Sequence, residues 1–184
     1  MERAYAIWRA FQDRILGPVA AALLVGCTLL ALLEVVRRYA FGFSFDWQQD
    51  AVTFFTLSGA FLYFSVCQRR QVHLTVTVLP ELLAAAGPRA QRAAEIVKLA
   101  ALAFSCAFLF AVVWWGAGEI EESFKYGSRT ESLAFPMWPF LGALLLGFAF
   151  MAITMVFQLY FGIQKLRGRS VPEDEAVEVD RTAH

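Results

Sequence analysis

Histidine and cysteine are scarce in this 184-residue chain, which has two of the first, His73 and His184, and three of the second. Neither histidine falls in an apolar stretch, so a helical bundle that holds haem through paired histidines is excluded. Cys27, Cys67 and Cys106 stand far apart, each in or beside an apolar run. That spacing offers no metal cluster and no disulfide framework, and predicts small buried hydrophobes. A phosphate-cradling glycine loop is missing, as is a nucleophile with a base at a recognisable spacing. No catalytic residue, substrate ligand, metal ligand or cofactor is therefore assigned, and no nucleic-acid partner is expected.

Charge is also missing from long stretches. Residues 15–33, 51–68, 99–118 and 132–164 contain no Asp, Glu, Lys or Arg, in a chain that is 59% hydrophobic with a mean hydropathy of +0.54. Each run is close to or above the ~18–20 residues a helix needs to cross about 30 Å of hydrocarbon. Uninterrupted Leu, Ala, Phe and Gly suit helices, whereas barrel strands alternate over about ten residues. The expected fold is an all-α integral membrane protein with spans over residues 15–36, 48–68, 96–118 and 136–163. The net charge of zero hides a strong asymmetry. Eleven Lys and Arg residues precede span one, lie between spans two and three, or follow span four closely (Lys165, Arg167 and Arg169), against four (Arg37, Arg38, Lys125 and Arg129) on the opposite side. The positive-inside rule then places both termini in the cytoplasm. Ala20, Ala21 and Ala22 imitate a signal-peptide cleavage site, but the apolar run continues for a full bilayer thickness and reads as a retained helix.

Within residues 1–14, Tyr5, Ile7, Trp8 and Phe11 fall at helical spacing. They suggest either an aromatic face at the cytoplasmic headgroups or a loose terminus. Glu34 precedes Arg37 and Arg38 by three and four residues, so an interfacial ion pair is expected, with an intramembrane proton relay as the sharper alternative. Asp46-Trp47-Gln48-Gln49 has the pattern of a capping box for span two, with Trp47 at the outer interface. Ser58-Gly59-Ala60 offers small residues where another helix comes close. The connection over residues 68–98 is long for adjacent helices. Thr77 as a cap, Pro80 in the first turn and Gly87-Pro88 as a stop outline an amphipathic cytoplasmic arm over residues 77–87. After Pro88 no breaker intervenes, so helix three is expected to project into the cytoplasm before entering the membrane. Glu119, Glu121 and Glu122 read as a solvated outer face. Pro136-Met137-Trp138-Pro139 opens span four, with Trp138 as an interfacial anchor. Residues 168–184 form an acidic tail whose composition suits disorder.

Four segments together resemble a known family. They are Arg38-Tyr39-Ala40-Phe41, Trp47-Gln48-Gln49-Asp50, the basic pair Arg69-Arg70, and His73-Leu74-Thr75-Val76. The pattern is similar to the small membrane (DctQ-like) subunit of tripartite ATP-independent periplasmic (TRAP) transporters. Chain length, span number, orientation, the long second connection and the Pro136 to Pro139 start of helix four agree with it. Gln49 stands where the family often carries an acidic residue, leaving Asp50 as the single carboxylate. Thr77 replaces the usual Asp after Val76 and still caps a helix.

The resemblance implies a non-enzymatic permease subunit of a bacterial inner membrane. Its partners would be a large elevator-type, sodium-driven membrane subunit, a periplasmic protein that captures an organic acid, and membrane lipids. Glu34, Arg37, Arg38, Trp47, Asp50, Arg70, His73, Thr77 and Trp138 are then structural or interface candidates. Two other classes stay open. A small self-assembling channel or exporter would use Glu34 or Asp50 in a pore, and an accessory membrane anchor of a redox complex would need neither.

Overall fold

A computed structural model describes residues 2–43, 45–69, 88–130, 132 and 135–167. Its helices are α1 (Glu2–Phe11), a π-helical turn (Gln12–Leu16), α2 (Gly17–Phe41), α3 (Asp46–Arg69), α4 (Pro88–Tyr126) and α5 (Trp138–Leu166). Four helical stretches are long and apolar enough to cross a membrane: Arg3–Phe41, Trp47–Arg69, Arg92–Tyr126 and Trp138–Leu166. The four uncharged runs thus become four spans. The arm over residues 77–87 and the tail over residues 168–184 lie outside the described residues, as do Arg70, His73 and Thr77.

The helix that carries the first span begins well before residue 15. α1, the π turn and α2 form one unbroken rod, and Pro18 accounts for the change of pitch within it. Proline has no N–H to donate, and its ring would crowd the carbonyl four residues back, which belongs to Arg14 inside the π turn. The wider turn relieves that crowding, and the Gly17 N–H closes it by donating to the Gln12 carbonyl five residues back. The aromatic face expected at the headgroups is instead packed on α5. Tyr5 is buried edge-on to Phe161 at 5.1 Å, and Trp8 meets Phe150 at 5.6 Å. Burying those rings on a neighbouring helix gives α1 a tertiary reason to be helical, which an isolated ten-residue segment lacks.

α2 ends at Gly42, whose φ of 73° supplies the left-handed turn that stops a helix without a Cβ penalty. α4 has 39 residues, about 58 Å at the helical rise, which is longer than a bilayer is thick. After α4, residues 128–130 pair with residues 135–137. Thr130 N–H donates to the Phe135 carbonyl at 2.9 Å, Met137 N–H to the Ser128 carbonyl at 2.8 Å, and Arg129 bridges Pro136. α5 then starts at Trp138 with Pro139 in its first turn, within two residues of the sequence estimate.

The helices form an open row in the order α2, α3, α5, α4, with extensive contacts only between successive members among the described residues. The apolar windows of α3 and α5 are 28% buried and those of α2 and α4 are 11% buried, which identifies the inner and outer members. Small residues bring the helices together. A Cβ on Gly147 of α5 would lie 2.7 Å from the Phe61 backbone of α3, and one on Gly59 would lie 2.9 Å from Leu24 of α2. The Ser58-Gly59-Ala60 segment is therefore a point of close approach, as its composition suggested. Phe54 on Phe140 at 4.5 Å and Phe61 on Phe148 at 5.1 Å fill the rest of the α3–α5 seam. Cys106, Leu109, Ala152 and Met155 form the α4–α5 seam, where Cys106 behaves as a small hydrophobe.

Candidate interaction sites at the two ends of the row

Polar side chains gather at two levels. The level nearer the N-terminus joins the π turn, α3 and α5. Gln12 is fully buried, and its Nε2 donates to Ser65 Oγ at 2.6 Å and to Thr154 Oγ1 at 2.9 Å. Trp8 Nε1 also donates to Thr154 Oγ1, at 3.1 Å, and that hydroxyl donates to the Phe150 carbonyl of its own helix. One turn further along, Gln68 Nε2 donates to Gln158 Oε1, and Gln158 Nε2 returns a bond to the Gln68 carbonyl, both at 2.9 Å. The Arg69 guanidinium clasps Asp13 through both terminal nitrogens, one of them at 3.1 Å. Its side chain is only 6% exposed, while Asp13 is 39% exposed and also lies 3.9 Å from Arg9. A fork-to-carboxylate bond of this kind fixes direction as well as distance, so the end of α3 is tied to the start of the first rod.

The other level lies at the outer ends of α2 and α3 and contains most of the described candidates. Gln48 is buried there. Its Nε2 donates to the Leu30 carbonyl at 2.9 Å, and its Oε1 accepts from Arg37 Nη1 at 3.1 Å. Phe43 and Phe45 lie beside Arg37, with the guanidinium 3.8 Å from the Phe45 ring centre and 5.1 Å from that of Phe43. Phe45 stacks on Trp47, and Trp47 meets Phe135 edge-on. Asp50 accepts from the Ser132 hydroxyl and, at 3.3 Å, from its backbone N–H, which ties Ser132 of the α4–α5 connection to α3.

The expected ion pair of Glu34 with Arg37 or Arg38 is not formed among the described residues. Arg37 turns to Gln48 and the aromatic rings, because a desolvated cation on ring faces gains more than an exposed i, i+3 pair. Arg38 stays exposed. Glu34 is half-buried, and its Oε2 is shut off from solvent without a hydrogen-bond partner among the described residues. Trp138 sits apart, 42% exposed and edge-on to Phe124. The structure therefore brings Arg37 and Trp47 together through the Phe45 ring, and leaves Arg38 and Trp138 outside that cluster. For the capping box, the Asp46 side chain lies outside the described residues.

Sequence reasoning missed Gln12, Asp13, Ser65 and Thr154. One signal was available: Ser65, Gln68 and Arg69 recur at i, i+3 and i+4, as do Thr154 and Gln158 at i and i+4, which puts each set on one helix face. An open groove of about 380 Å³ beside Phe110, Val113, Trp114 and Ala117 is lined by α4 alone and is almost wholly apolar, without the convergent polar groups that orient a substrate. Among the described residues, no three His, Cys, Asp or Glu side chains converge as metal ligands.

Four apolar helices whose polar side chains reach from helix to helix define an all-α, multi-pass membrane protein. Within that class, residues 16–165 match the family model of tripartite ATP-independent periplasmic transporters, DctQ component. The chain belongs to this family of transporter subunits, as its motifs suggested. No curated protein matches the chain.

Proposed function

We propose that this chain is the scaffold of its transporter: the small permease subunit that holds a large elevator-type subunit in position during sodium-coupled uptake of an organic acid. It resides in the bacterial inner membrane with both termini in the cytoplasm, binds the large subunit stably and meets the periplasmic binding protein transiently. The observation that carries this reading is the open row of helices α2, α3, α5 and α4, braced at both levels by side-chain hydrogen bonds. A sliding partner needs a wall that keeps its shape. A row presents two broad faces to the bilayer, whereas a closed bundle encloses its own interior. The Arg69–Asp13 clasp and the Gln48–Arg37 bond resist shear of one helix past the next.

The test is co-expression with the neighbouring large subunit, which yields a one-to-one complex, combined with uptake assays in cells lacking this chain, where transport disappears. Normal uptake in the deletion strain would sink the scaffold reading.

A further inference from the structure

Helix α5 touches both of its neighbours along most of its length, so it serves as a ruler of height within the row. On α3, Phe54 meets Phe140 and Gln68 meets Gln158. On α4, Gly116 meets Leu145, 2.5 Å from where its Cβ would lie, and Leu99 meets Gly162 in the same way at 2.6 Å. Helix α2 joins the scale where Gln48 Nε2 donates to the Leu30 carbonyl, which sets those two residues at one height. At about 1.5 Å per residue, the charges that bound the spans then fall at different heights. Glu34 on α2 stands about 9 Å farther out than Asp50 on α3, and Asp50 about 9 Å farther out than Glu119 on α4. At the inner end, Lys98 of α4 lies about 6 Å farther in than Arg69 of α3.

Between α3 and α4 the offset has the same sense at both ends. Residues 51–68 of α3 and 99–118 of α4 are uncharged bands of similar length, so the band of α4 is displaced inward and not shortened. A locally thinned bilayer would bring the two boundaries together, which is a different pattern. Exposed tryptophans repeat the order. Relative to Phe140, Trp47 of α3 lies about 10 Å farther out, Trp138 of α5 about 3 Å farther out, and Trp115 of α4 about 9 Å farther in. Tryptophans and span-flanking charges both belong at the headgroups. An upright row would sink the exposed Glu119, Glu121 and Glu122 below the level at which Glu34 and Asp50 reach the surface.

We propose that the row leans within its own plane by roughly 20°, with its α4 edge raised toward the outer side, as an offset of about 6–9 Å across two helix spacings of about 8–10 Å requires. The partner that fits this surface is a flat phospholipid bilayer. Hydrocarbon meets an oblique band whose outer edge runs through Glu34, Asp50 and Glu119, and the headgroups receive Glu121 and Glu122. The assignment rests on membrane crossing alone, so it stands or falls independently of the scaffold reading.

Val25, Thr53 and Glu122 are exposed and share one height on the ruler, which makes them the test. Each is replaced singly by Cys in the full chain with Cys27, Cys67 and Cys106 changed to Ala, labelled with bimane, and reconstituted in phosphatidylcholine carrying bromine either near the headgroup or deep in the acyl chain. In a leaning row the Glu122 label sits about 6 Å nearer the outer surface than the Thr53 label, and the Val25 label is the deepest. Shallow bromine therefore quenches best at Glu122, and deep bromine best at Val25 and Thr53. Equal ratios of shallow to deep quenching at the three positions, or the reverse order, would overturn the lean. Oriented-bilayer NMR of the unmodified chain is the second measure. Its ¹⁵N resonance patterns give α3 and α5 a tilt of roughly 20° in one shared direction, and axes within about 5° of the bilayer normal would also overturn it.

Discussion

The two polar levels use different chemistry for the same task. At the inner level, hydroxyls, amides and an Arg–Asp clasp link three elements, and the buried cation has a formal counter-charge. At the outer level the half-buried cation, Arg37, has ring faces and one amide oxygen, while the nearby carboxylate of Glu34 makes no hydrogen bond through its shielded oxygen. A clasp between opposite charges is directional and loses strongly when either half is removed. A cation among aromatic rings tolerates movement and has a second partner within reach. The inner level is thus expected to set the register of the helices, and the outer level to leave them some freedom beside the interface with water.

Breaking the clasp is expected to have the largest effect. Asp13→Asn leaves the Arg69 guanidinium buried without its counter-charge and lowers stability by about 2–3 kcal/mol, below the ~3–5 kcal/mol of a fully buried pair because Asp13 is 39% exposed. The double variant Asp13→Asn with Arg69→Met recovers most of that loss. Thermal unfolding of the purified chain in detergent measures both, and equal melting of the single variant and the wild type would remove the clasp from the comparison.

Gln12→Leu is expected to come next, costing about 1–3 kcal/mol, since Ser65 and Thr154 lose a buried donor that joins them to the first rod. Limited proteolysis near the N-terminus should report the loosened α1. At the outer level Gln48→Leu is expected to cost about 1–2 kcal/mol. It frees Arg37, whose nearest carboxylate along the helix is Glu34. Glu34→Gln alone should then change stability by less than about 0.5 kcal/mol, yet cost about 1 kcal/mol more in the Gln48→Leu background. That coupling separates a tolerant outer level from a merely weak one, and strict additivity would contradict it. Among variants that alter a formed hydrogen bond, the smallest effect is expected for Asp50→Asn, below about 1 kcal/mol, because an amide oxygen still accepts from Ser132.

The spans were legible because lipid acts on every residue of a helix, so absence of charge over about twenty positions is a signal no single substitution hides. Gly59 and Cys106 were legible for a related reason: small residues in such runs have few uses besides close packing. The inner network was not. Gln12 meets Ser65 across 53 positions and Thr154 across 142, and no local spacing encodes a partner on another helix. Arg37 illustrates the opposite error. Its distance of three residues from Glu34 was read correctly, but the choice between partners depended on Phe43 and Phe45, whose rings lie against the guanidinium. A spacing shows which contacts are reachable, and competition decides which one forms.

The π turn at Gln12–Leu16 has a consequence for how this protein tolerates change in length. It holds one residue more than an α-helical turn, and each residue advances a helix by about 100°. Deleting a single residue there would leave α1 on nearly its present face, whereas winding all five residues at uniform α-helical pitch would rotate α1 by roughly that angle relative to α2. Tyr5 and Trp8 would swing off α5 while Leu24 stayed against Gly59. The extra residue acts as a phase shifter, through which one continuous rod keeps two different faces aligned with two different neighbours.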